Sequence, residues 1–156
     1  MSSDELRVTS AESRALGSLC HCLNLSRVRL HRGEGGRLAR ALRRVVLALS
    51  RDRGVTLGNH VFLPDRAAGS LPVIAHELTH CAQYQSWGPF RYYLRGVAER
   101  LRELRWRVGL GPNPYTYELE PDKPFARYRM EQQGQIVEDC FRGCERAAAI
   151  SPYRPS

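Results

Sequence analysis

The chain has 156 residues, 42% hydrophobic and 26% charged, with 24 basic and 16 acidic residues and a formal net charge of +8. That profile fits one globular domain whose core needs no disulfide framework, and it excludes collagen-like, coiled-coil and disulfide-scaffold chains. No apolar run approaches the ~20 residues of a membrane span. The polar start, with Asp4, Glu5 and Glu12, also lacks a secretory signal pattern, so synthesis in the cytoplasm without a signal peptide is expected.

In chain order, residues 1–25 read as an N-terminal arm, loose or with a short helix. Residues 26–30 (SRVRL) alternate polar and apolar and read as a strand. The glycines of residues 33–36 precede a helix over 37–50, where Leu38, Ala41, Leu42, Val45, Val46 and Leu49 share one face. Arg37, Arg40, Arg43, Arg44 and Arg51 share the other, as a solvated helix back. Residues 55–57 and 60–63 flank Gly58-Asn59, which signals a hairpin. A helix over 71–87 closes at Gly88-Pro89. Next, Phe90, Leu94, Val97, Leu101, Leu104 and Val108 keep three-four spacing, and this stripe is expected to pack on the core rather than on a partner helix. Two glycines and four prolines make residues 109–124 a loop. A further helix is expected over 125–150, then a frayed tail at 151–156. The expectation is an α+β architecture with a single domain over residues 26–150.

Twenty-three of the 24 basic residues are arginine. This balance permits contact with nucleic acid, an anionic membrane or an acidic partner protein, but no nucleic-acid-reading motif accompanies it, so no specific nucleic acid is expected. The five cysteines are expected to be free thiols. A structural zinc site from Cys20, Cys22, Cys140 and Cys144 matches no common knuckle spacing.

The chemistry lies in His76-Glu77-Leu78-Thr79-His80, an HExxH motif. Histidines at i and i+4 on one helix face can reach one metal, and the intervening glutamate is placed to act as general base on water. Zinc is the metal this pattern suits, with peptide-bond hydrolysis as the reaction. A catalytic site needs a third ligand. The extended HExxHxxGxxH form fails, because Gln83 and Ser86 occupy the later positions. Glu131, followed by the small Gly134, is one source; Glu138, Asp139, Glu118 and Glu120 compete, and His21, His31 and His60 are weaker options.

Residues 27–85 resemble the zinc-metallopeptidase-like domain attached to bacterial contractile injection systems. The resemblance lies in VRLH (28–31), TLGNHVFL (56–63) and AHELTHCAQ (75–83). Residues 117–141 (YELEPDKPFARYRMEQQGQIVEDCF) are similar to type VI secretion-associated Vgr-related proteins, in which a "Y-x-x-E-Q-Q-A" helix start follows a Pro-Phe loop. The likeness implies a gluzincin, zincin-like in fold, with a strand and hairpin on the metal helix and two long helices after it. It implies His76, His80 and Glu131 as zinc ligands and Glu77 as general base. Gly134 stands where the family usually has alanine, a difference of one methyl expected to be harmless. Tyr128, with Tyr115 and Tyr117 behind it, is the candidate oxyanion stabiliser. The implied partners are a peptide or protein substrate and secretion-apparatus proteins, with export through the apparatus. The rival reading is a zinc-containing docking module with little turnover.

Overall fold

A computed structural model describes residues 7–33, 37–49, 53–120 and 122–156. The side chains of Arg37, Leu38 and Leu49, together with Asp4, Glu5, Arg51 and the glycines at 35 and 36, lie outside the described residues. The elements are α1 (Ser10–Leu16), α2 (Ser18–His21), β1 (Arg29–His31), α3 (Arg37–Leu49), β2 (Val55–Leu57), β3 (His60–Phe62), α4 (Leu71–Trp87), α5 (Pro89–Arg107), α6 (Met130–Phe141) and α7 (Glu145–Ala148). The architecture is α+β and mostly helical.

The sheet has the order β1-β3-β2. β1 runs parallel to β3, and β2 pairs antiparallel with β3 across the Gly58-Asn59 turn, setting Thr56 opposite Val61. β2 is therefore left at an edge.

α4 is the axis of the molecule. Pro72 pre-sets its first turn and Gly88 ends it. Ten consecutive residues, from Ile74 to Gln83, are buried. A helix buried on every side needs neighbours all round. The sheet, α1, α2, α5 and α6 supply them, and α6 packs against α4 most extensively. The core joins Ile74, Leu78 and Cys81 of α4 to Leu16, Leu19, Val28, Leu30, Val61 and Val137. The segment read as a loose arm thus contributes fully buried leucines. Thr9 and Glu12 cap α1 reciprocally, and Arg32 holds Glu12 at 2.6 Å.

Three expectations are corrected. The helix foreseen over 125–150 is broken: a 3-10 turn (Phe125–Arg127) precedes α6, and Gly143 at φ 88 ends it, with Cys144 N–H donating to Asp139 O. On α3 the faces are exchanged in part. Arg43 is buried, donating to Leu63 O at 2.9 and 2.5 Å and pairing with Asp65 at 2.6 Å, whereas Leu42 and Val45 are exposed. On α5 the inversion is complete. The stripe from Phe90 to Val108 faces outward, and the inward face carries Tyr92, Glu99 and Glu103. Arg102 pairs with Glu99 at 2.9 Å, while Arg100 and Arg107 pair with Glu103, which lets a helix bury its carboxylates.

Candidate metal centre

His76 and His80 lie one turn apart on α4, with their Nε2 atoms 3.2 Å apart. Glu131, in the first turn of α6, brings Oε2 to 3.7 Å from His76 Nε2 and 3.6 Å from His80 Nε2. Among the described residues these are the only three His, Cys, Asp or Glu side chains whose donor atoms gather within 4.8 Å of one another. A tetrahedral zinc with nitrogen and oxygen ligands at ~2.0–2.1 Å needs those ligands about 3.3–3.4 Å apart. The three edges are of that scale, and two imidazoles with one carboxylate form a zinc-type donor set. The residues present fit the metal.

Each remaining ring nitrogen is held. His76 Nδ1 lies 2.9 Å from Glu138 Oε2, and His80 Nδ1 lies 2.8 Å from Gln83 Oε1. Such contacts fix the tautomer and present Nε2 to the metal position. Glu138 is itself held by Arg142 at 2.5 Å, and Gln83 donates to Gln133 Oε1 at 2.9 Å, tying α4 to α6.

Residues 16–88 match the family model of the eCIS core domain. The match associates the chain with contractile injection systems. It contains the sheet and the whole HExxH helix and stops before α5, so Glu131 and Glu138 lie beyond it. No curated protein and no solved structure matches the chain significantly.

β2 positions Glu77. Thr56 Oγ1 lies 2.7 Å from Glu77 Oε2 and 3.0 Å from the Glu77 carbonyl oxygen, and Tyr92 O–H donates to Thr56 O at 3.0 Å. Gly54 passes so close that a β-carbon there would lie 2.5 Å from Glu77 Oε1. Any side chain at position 54 would have to displace that carboxylate.

The electrostatics favour a cation between the ligands. Burial acts to lower the His76 pKa, but the Glu131 and Glu138 carboxylates outweigh it and push it up to about 10. Burial acts to raise Glu131, yet His80 and His76 hold it well below the usual carboxylate range. Glu77 is raised, because burial outweighs the fields of the two histidines. A raised carboxyl is the more basic one, as a proton acceptor requires.

The site opens into a cleft of about 810 Å³ lined by β2, the inner face of α5 and Tyr115. The other candidates lie elsewhere. Tyr128 is a correction: it is buried in the second core cluster with Ile136 and Ala147, and its hydroxyl accepts from Glu120 N–H at 3.3 Å. Tyr117 donates to Asp139 at 2.6 Å. Tyr115 alone of the three lines the cleft, with Arg53 stacked 4.7 Å over its ring. Glu120 pairs with Lys123, and Glu118 is exposed. His31 and His60 face each other at 3.0 Å on the sheet, and His21 is exposed. All five cysteines are free thiols.

Sequence reasoning missed Glu138 as a positioning group, treating it as a competing ligand. Its spacing held the signal, because i+7 from Glu131 is two turns along the same helix face. Gln83 stood at i+3 from His80, equally visible. Thr56 and Gly54 carried no such signal, since only tertiary packing sets them beside Glu77.

Proposed function

We propose that this protein is a zinc-dependent peptide hydrolase associated with a contractile injection system. The observation that carries the reading is the convergence of His76 Nε2, His80 Nε2 and Glu131 Oε2 beside an oriented, buried Glu77. His76, His80 and Glu131 hold the metal, and Glu138 and Gln83 keep the two imidazoles in register. Bound there, zinc supplies a Lewis acid that polarises a carbonyl and activates water. The Glu77 carboxylate takes a proton from water and returns it to the leaving amine. Thr56 holds one Glu77 oxygen through this exchange, and Tyr115 offers a cleft hydroxyl to the carbonyl oxygen. The outer edge of β2 lines the cleft, with its Thr56 carbonyl taken by Tyr92, and its remaining backbone groups suit an extended peptide added as a further strand.

Metal analysis, a peptide-library screen and two variants test this. The parent is expected to hold about one zinc and to cleave peptides. Glu77→Gln should keep the zinc and lose at least ~100-fold in rate, the scale of a general base. Glu131→Ala should lose zinc and cleavage together. A parent that takes up no zinc overturns the reading. A zinc-loaded parent that cleaves nothing favours the docking-module reading, which the match to an injection-system core domain also supports.

A further inference from the structure

The outer face of α5 carries a row of exposed apolar side chains, of which Val97 also lines the rim of the cleft. Phe90, Leu94, Val97, Leu101, Leu104 and Val108 are 49–83% exposed, although each is large and apolar. They advance by four, three, four, three and four residues, which is the a/d seam of a heptad repeat. The seam runs the length of a 19-residue helix. The same helix buries Glu99 and Glu103, each 5% exposed, on the opposite side. Contiguous apolar surface at such spacing is a protein-docking feature rather than ordinary surface scatter.

The flanks of the seam say what covers it. With Leu94, Leu101 and Val108 at a and Phe90, Val97 and Leu104 at d, the e positions are Arg91, Ala98 and Arg105, and the g positions are Tyr93, Arg100 and Arg107. No acidic residue stands at any e or g position, because both acids of the helix are turned inward. A second copy docked in parallel sets Arg100 against Arg105, and an antiparallel copy sets arginine against arginine at both flanks. Like charges there oppose self-pairing. An interfacial membrane helix, in turn, carries a broad apolar face, whereas this seam is two positions wide with arginines directly beside it.

We propose that the outer face of α5 docks an amphipathic helix of another protein, one whose apolar heptad seam is flanked by Asp and Glu. The seam residues supply the buried contact, and Arg91 and Arg105 select the partner's charge, while Arg100 and Arg107 are held by Glu103. Such docking depends on neither zinc nor catalysis.

The probes are two synthetic 28-residue heptad peptides, each with Leu and Ile in the seam. One has Glu at all e and g positions and the other has Lys. Binding to the intact protein is read by fluorescence anisotropy. The acidic peptide should bind and weaken as salt rises; the Lys peptide should bind at least roughly tenfold less well. Leu94→Ser/Leu101→Ser should lower acidic-peptide affinity by about tenfold or more while leaving the thermal midpoint unchanged, since both side chains are exposed. Arg91→Glu/Arg105→Glu should invert the preference between the two peptides. Equal binding of both peptides, or no effect of the seam variant, overturns the proposal. So does a seam-dependent dimer in sedimentation, or binding to vesicles of phosphatidylglycerol and phosphatidylcholine without binding to the acidic peptide.

Discussion

A β-carbon at position 134 would lie 2.8, 2.9 and 3.0 Å from Nε2, Cε1 and Cδ2 of His76. The expectation that glycine and alanine are interchangeable there is therefore corrected: α6 approaches α4 so closely that the ring of His76 occupies the space of the methyl. Gly134→Ala is expected to displace that ring and weaken zinc by about tenfold or more, on the scale of lost ligand orientation, as read by chelator competition. Glu138 belongs to the same chemistry. With Glu131 as the third ligand, Glu138 and Asp139 read from sequence alone as dispensable for metal, but Glu138 holds His76 Nδ1 at 2.9 Å, while Asp139 accepts from Tyr117 and Gln135. Glu138→Ala should thus weaken zinc by about 10–100-fold, with Asp139→Ala the silent control in the same titration.

At the scale of elements, α1 depends on its start. Thr9 Oγ1 accepts from Glu12 N–H at 3.2 Å, and Thr9 N–H donates back to the Glu12 carboxylate at 2.9 Å. Leu16 and Leu19, fully buried in the core, are delivered by this short segment. Thr9→Ala should cost about 0.5–2 kcal/mol in denaturant unfolding, the range for a lost N-cap. Burial acts to raise the Glu12 pKa, but the bonds from Arg32 and Thr9 lower it overall. A carboxyl lowered in the folded state stabilises above its ordinary value and ceases to do so as pH falls through the folded one. The stability difference between the parent and Glu12→Gln should accordingly be present at neutral pH and shrink through the acidic range below about pH 4.5. Helices α3 and α5 teach a different lesson. Their three-four spacing announces an amphipathic helix but not which face meets the core. Paired arginines and glutamates can be buried, and leucines can be left outside.

At the scale of the whole molecule, the candidate ligands bridge two elements 51 residues apart in sequence, counting from His80 to Glu131. Zinc held by these three residues would require the folded chain, so on the proposed reading it should stabilise by mass action: about 2.7 kcal/mol when free zinc is 100 times its dissociation constant. The thermal midpoint should rise with added zinc and fall on chelation, and in Glu131→Ala it should respond to neither. A midpoint indifferent to zinc in the parent would separate the fold from the metal.

Local pattern by itself determined the helix over 71–87, the hairpin around Gly58-Asn59, the α+β class and the pairing of His76 with His80, because each depends on residues within a few turns of one another. The HExxH spacing stacks two imidazoles whatever else the chain does. Position 131 was one carboxylate among several until α6 packed on α4 and brought its Oε2 to 3.6–3.7 Å from both imidazoles. The same packing alone decided that Glu138 and Gln83 orient the rings, that Thr56 and Gly54 frame Glu77, that Tyr115 rather than Tyr128 lines the cleft, and that the arginine-flanked face of α5 points outward. Those contacts join segments distant in the chain. Their geometry is set by which faces the core can bury together, a quantity that no local periodicity encodes.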